Sequence, residues 1–150
     1  MNLEKLQIWS GLLANLGVIA GIIFLAVELE QNSSMMAAQT RTNITSEIID
    51  SMEKEADPLV QESIQKIQAG EPLNSEQLQT MNLFLAQRLR HWENVLYQYN
   101  QGLFDDEEFS GVLAFIEVTM NSQFAQELWS QQHPFYSPIF QEFVDGIIEN

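Results

Sequence analysis

Leu6 to Val27 is an unbroken run of twenty-two uncharged, mostly apolar residues, LQIWSGLLANLGVIAGIIFLAV, bracketed by Lys5 and Glu28. A bilayer core about 30 Å thick is spanned by roughly 20 helical residues, and a helix satisfies its own backbone hydrogen bonds where lipid offers none. The pattern therefore predicts a transmembrane helix over 6–27. A secretory signal has an apolar core of only about 7–15 residues followed by a small-x-small junction. Here the run is longer and ends in Val27-Glu28-Leu29-Glu30, a poor cleavage site.

After the anchor the pattern changes to helical amphipathicity. From Glu28 to Glu55 there is no proline or glycine, and Ile44, Ile48, Ile49 and Met52 recur at helical spacing, preceded by Met35 and Met36. Residues 28–57 read as a helical stalk running straight on from the anchor, with Gln31–Ser34, rich in poor helix formers, as the place where a kink would fall. Asp57-Pro58 closes the stalk and opens a short helix carrying Leu59, Ile64 and Ile67, which Gly70 stops. Residues 58–150 form the helical domain.

Within it, Asn74 and Gln77 have capping-box spacing, with Leu73 placed to staple Leu78. They open a helix whose apolar line is Leu78, Met81, Leu85, Leu89, Trp92, Leu96 and Tyr99. Gly102 ends it. Asp105 and Glu108 give a second capping box, with a Phe104–Phe109 staple, and a helix burying Phe109, Val112, Leu113, Ile116 and Met120. A break at Asn121-Ser122 precedes a short helix with Phe124, Leu128 and Trp129, ended by His133-Pro134. Ser137-Pro138, a cap followed by a first-position proline, starts the last helix, with Ile139, Phe140, Phe143, Val144 and Ile147. No stretch sustains a period of two. The expected fold is all-α, an N-terminal transmembrane helix continuing into a multi-helix bundle.

Composition narrows function mainly by exclusion. The chain has 150 residues, 21 acids against 6 bases, and a net charge of −15. Such a surface repels phosphate backbones and anionic lipid, so nucleic acid is not an expected partner and attachment rests on the spanning helix. The chain has no cysteine, which excludes disulfides, thiolate metal sites and a cysteine nucleophile. Lys5 is the only base before the anchor and Arg41 the first after it. The positive-inside rule then weakly favours a cytoplasmic N-terminus and leaves the side of the domain open.

Candidate chemistry is sparse. On the anchor, Ser10, Ala14, Gly17 and Gly21 share one face and include a GxxxG pair, which allows close helix–helix approach. Asn15 adds a polar group that favours a partner at membrane depth. Arg88, Arg90, His91 and Glu93 form the densest mixed-charge cluster. They read either as an anion or acid–base site or as helix-tying polar groups, with Arg88 and His91 at positions typical of a solvated flank. Asp105 to Glu108 lacks the ligand spacing and turn glycine of a calcium loop and suits a helix N-terminus. Neither His91 nor His133 follows a glutamate by three residues, so no di-iron pattern is present. There is no phosphate loop, HExxH or GxSxG, and no cofactor is expected. Five methionines (Met35, Met36, Met52, Met81, Met120) and nine phenylalanines are expected in a core more than in a ligand pocket.

Leu25-Ala26-Val27 running into Gln31-Asn32, Asp57-Pro58 and its short helix, Arg90 with Glu93, and Tyr97-Gln98-Tyr99 form a recognisable series. Gly102-Leu103, Trp129, Phe135, Ser137-Pro138 and Phe140 extend it. In this arrangement the chain resembles a group of uncharacterised proteobacterial proteins with one N-terminal membrane helix and a helical domain. The resemblance covers nearly the whole chain and implies architecture and an inner-membrane location, without implying an activity. Members often carry arginine just after the membrane helix, where this chain has Glu28 and Glu30. The expected function is non-enzymatic: a single-pass membrane protein acting by assembly, with itself or with another integral membrane protein. The alternative is a membrane-tethered ligand-binding or sensor module using Arg88, Arg90 and Glu93.

Overall fold

The computed structural model describes residues 3–149, apart from the side chains of Glu4 and Lys5. The Met1–Lys5 head, whose lysine entered the orientation argument, lies at the edge of or outside what is described. The fold is all-α as expected, with no strand among the described residues. Six helices follow in order: α1 (Leu3–Glu55), α2 (Pro58–Ala69), α3 (Ser75–Asn100), α4 (Asp106–Met120), α5 (Gln123–Gln132) and α6 (Pro138–Ile148). A single 3-10 turn, His133–Phe135, lies between the last two. The chain divides into two compact units between Gln39 and Thr40.

In the first unit α1 carries the apolar run, and its large side chains from Leu6 to Val27 are exposed. The helix runs unbroken through Gln31–Ser34, the place where a kink would fall. The residues there are only modestly unfavourable in a helix, at less than about 0.7 kcal/mol each relative to alanine, and no proline or glycine interrupts the hydrogen-bond ladder.

The second unit begins with the C-terminal part of α1. Of its expected apolar stripe, only Ile44 is fully buried and Ile48 packs on the core, while Ile49, Met52, Met35 and Met36 are exposed. Asp57 caps α2, accepting a 2.8 Å bond from the Leu59 amide, with Pro58 at the first helical position. Gly70 and Gly102 both have φ near +70°, the left-handed conformation that closes α2 and α3. Each is followed by a six-to-one backbone bond, Glu71 N–H to the Lys66 carbonyl and Leu103 N–H to the Gln98 carbonyl.

The centre of this unit is α3. It buries Met81, Leu85, Leu89, Trp92 and Leu96 as the spacing predicts, and also Gln77, Phe84 and Val95. Leu78 and Tyr99 fall outside the buried set. The buried arc is wider than a single stripe because α3 is packed from more than one side. A small cluster of Val60, Met81 and Phe84 seats α2, while the main core joins α3 to α4, α5 and α6. Gln77 is buried where the capping box meets that small cluster. Its backbone N–H donates to Asn74 Oδ1 at 2.9 Å, its Oε1 accepts the Asn74 amide, and its Nε2 donates to Glu62 of α2 at 2.9 Å. A local cap is thereby also a tertiary tie.

The second capping box forms only in half. Asp105 accepts the Glu108 amide at 2.8 Å, but the Glu108 carboxylate pairs with Arg41 of α1 at 2.6 Å, a charged partner being the stronger one. Beyond it, rings pass the core from element to element. Tyr99 stacks on Phe109, Phe109 meets Phe143, and Phe140 contacts Phe143, Tyr136 and Trp129. Phe140 and Val144 are completely buried on α6, whereas the neighbouring Ile139 is 64% exposed. Phe140→Ala should lower stability by about 3–5 kcal/mol through cavity formation, and Ile139→Ala by no more than about 0.5 kcal/mol. Denaturant unfolding of the detergent-solubilised chain, followed by tryptophan fluorescence, measures both.

Candidate functional site

Four polar residues of α3 form one cluster in sequence, but the helix turns them to two sides. Arg88 and His91 face α1. The Arg88 side chain is only 13% exposed, its guanidinium lying 4.5 Å from the Phe84 ring centre and 4.9 Å from that of Phe115. It pairs with Glu55 and donates to Ser51 Oγ at 3.3 Å. His91 Nδ1 lies 2.6 Å from Glu47 Oε2, with little of its side chain exposed. These two were expected on a solvated flank. The C-terminal part of α1 covers that flank instead, a contact no local pattern in α3 encodes.

Arg90 and Glu93 face the other way, toward the 3-10 turn and α6. Arg90 bonds Glu93 at 2.7 Å, donates to the Phe135 carbonyl at 2.8 Å, and lies over the Tyr136 ring at 4.2 Å. Glu93 also accepts the Ser137 amide at 2.7 Å. Ser137 was expected to cap α6 with its side chain; no such cap bond forms, and Glu93 supplies the acceptor at this helix start from across the fold. Burial pushes the Glu93 carboxyl up, but the Ser137 bonds and Arg90 outweigh it and hold the group below its ordinary range. At Tyr136, burial is the largest influence and raises the phenol, as does Glu93, with Arg90 acting in the opposite sense.

All four side chains are thus engaged in bonds that tie α3 to its neighbours. Between the Thr40–Glu55 part of α1 and helices α3 and α4 lies an open groove of about 1240 Å³. Ile44, Ile48, Met52, Leu83, Phe84 and Phe115 give it an apolar floor and walls. Arg41, Lys54, Arg88, Arg90 and His91 border it together with Glu47, Asp50, Glu55 and Glu108. Lys54 donates to the neutral Gln87 amide at 2.9 Å. Met52 borders the groove and is exposed, while Met81 and Met120 are buried, so the methionines divide between groove, surface and core.

A second, shallower pocket of about 340 Å³ holds a pair the sequence did not announce. Asp145 accepts Trp129 Nε1–H at 2.8 Å on one oxygen and lies 3.0 Å from His133 Nε2 on the other. Ser130 lines the same pocket, but its hydroxyl donates to the Glu127 carbonyl at 2.7 Å. His133 packs edge-on to Trp129. No local signal could have found the pair, because its members are twelve residues apart on different elements. No group of His, Cys, Asp or Glu suited to a metal occurs among the described residues.

On the anchor, the Ser10 hydroxyl bonds the Gln7 carbonyl at 2.9 Å, and Ala14, Gly17 and Gly21 are exposed. A Cβ at either glycine would meet nothing within 4 Å inside this chain. Comparison with protein-family models, curated proteins and solved structures gives no match.

A carboxyl that titrates lower in the folded state stabilises it fully above the ordinary carboxylate range, and that stability is lost as pH falls through the lowered value. Glu93→Gln keeps a neutral acceptor for Ser137 but loses the charge. It should cost about 1 kcal/mol at neutral pH, with the gap from the parent closing as pH falls below about 4. Denaturant midpoints measured across that range check the direction.

Proposed function

We propose that this chain is a non-enzymatic, single-pass protein of the bacterial inner membrane that works by assembly. Ser10, Ala14, Gly17 and Gly21 form the helix-packing face, and the partner is a second copy or another integral membrane protein. The observation that carries the reading is the anchor. One helix is long and apolar enough to cross a membrane, its most apolar stretch has a mean hydropathy of 2.3, and none of that stretch is buried. Twenty-two uncharged residues fully exposed on a folded chain are costly in water and favourable in hydrocarbon.

Assembly is favoured over the ligand-binding alternative by how the polar cluster is used. Arg88, Arg90, His91 and Glu93 already hold intramolecular partners, so a ligand at that cluster would have to displace bonds that tie α3 in place. The two exposed glycines make no internal use of their missing side chains, which fits a surface kept smooth for another helix.

The chain should stay in the membrane pellet after alkaline carbonate washing with its N-terminus intact, whereas a cleaved signal would release a shorter soluble product. Gly17→Leu with Gly21→Leu should weaken association by roughly tenfold or more, as steric loss of a close helix contact does. Light scattering of the complex in mild detergent reads the change. An unaltered complex mass would sink the assignment of this face.

A further inference from the structure

The groove between the C-terminal part of α1 and helices α3 and α4 has a charge balance unlike the rest of the molecule. Four of the chain's six bases border it, Arg90 with its guanidinium turned away to Glu93 and Phe135, together with four of the twenty-one acids, leaving seventeen acids and two bases elsewhere. Two copies of so anionic a chain repel each other over most of their surfaces, and least where acids and bases are matched.

The helix beside that groove carries a face that stays largely exposed, although the Phe115 ring meets Arg88 and Trp92. Gly111, Phe115 and Val118 fall at i, i+4 and i+7 on α4, the first two bordering the groove. Val118 is 71% exposed and Phe115 nearly half. Glycine inside a helix is destabilising relative to alanine, yet a Cβ at Gly111 would meet nothing within 4 Å in this chain. The bare position gains its use when another backbone comes close. α4 contains Asp106, Glu107, Glu108 and Glu117 and no base, and the rim offers it Arg41, whose side chain is 69% exposed, and Lys54, which is bonded to the neutral Gln87.

Size identifies the kind of occupant. Small-molecule pockets typically run to about 1000 Å³. A groove of about 1240 Å³ equals a cylinder of helix width some 16 Å long, or about three turns.

We propose that the α4 face of a second copy of this chain, Gly111, Phe115 and Val118, docks into this groove. The contact is reciprocal, so the two copies pack around a twofold axis. It rests on the proposed function only in taking the chain to work by self-assembly, and it adds a surface outside the anchor. Phe115 and Met52 supply buried apolar contact, and the acids of the incoming α4 meet Arg41 and Lys54 at the rim.

Because the chain has no cysteine, single cysteines report the contact cleanly in native membranes. Gly111→Cys and Val118→Cys, treated with a short bismaleimide, should give a product at twice 17.2 kDa, while Ile139→Cys on exposed α6 should not. The same product should persist when Gly17 and Gly21 are leucine, which separates this contact from the anchor face. Val118→Glu, at an exposed position that leaves the monomer's packing intact, should cut the Gly111→Cys product at least about tenfold by placing an unpaired charge in the contact. Failure of both α4 cysteines to cross-link overturns the proposal, as does linkage only to a different protein. Loss of the product with the leucine anchor, or indifference to Val118→Glu, overturns it equally.

Discussion

Everything in the C-terminal unit depends on the desolvation of α3. A helix buried over so wide an arc leaves polar residues at its margins under neighbouring elements, where they find partners. Arg88 and His91 do so on α1, through Glu55, Ser51 and Glu47. Arg90 and Glu93 do so on the 3-10 turn and the start of α6. An unpaired charge at Arg88, whose side chain is only 13% exposed, would be expensive, and these bonds help fix which helices lie against which sides of α3. The apolar core supplies most of the driving force, and these few bonds select the arrangement.

The same requirement explains the contrast between the two ends of α1. Its first part, to Gln39, belongs to the other unit and carries the uncharged run of 6–27. From Arg41 onward it carries Glu47, Ser51, Lys54 and Glu55, each bonded across to α3, and Arg41 itself, bonded to α4. Apolar contact is slight there, with Ile44 alone fully buried. A helix seated mainly by side-chain bridges and one isoleucine leaves space beneath it, and that space is the groove. Its matched charges follow from the bridging pairs.

Much of the helix pattern was legible because its signals are local. Asp57-Pro58, Asn74 with Gln77, Gly70, Gly102 and Ser137-Pro138 act through backbone geometry within a few residues, and the boundaries lie where they point. The failures are also physical. Glu108 leaves its capping box for Arg41, a distant charged group competing successfully with a local neutral one. At Ser137 the side chain makes no cap bond, while its amide donates to Glu93 from across the fold. Phe84 and Val95 lay off the expected stripe because a second packing partner widens the buried arc of α3. The groove and the His133–Asp145–Trp129 set had no local signal at all.

The sequence by itself determined the helical class, the punctuation between helices, the uncharged run of 6–27 and the strong excess of acid. Each of these is a property of neighbouring residues or of simple composition. Only the tertiary structure decided that one polar cluster on α3 is two, that half of the expected stalk stripe faces outward, and that most of the bases gather around a single groove. Those outcomes depend on which surfaces meet, and burial is a property of the assembled elements.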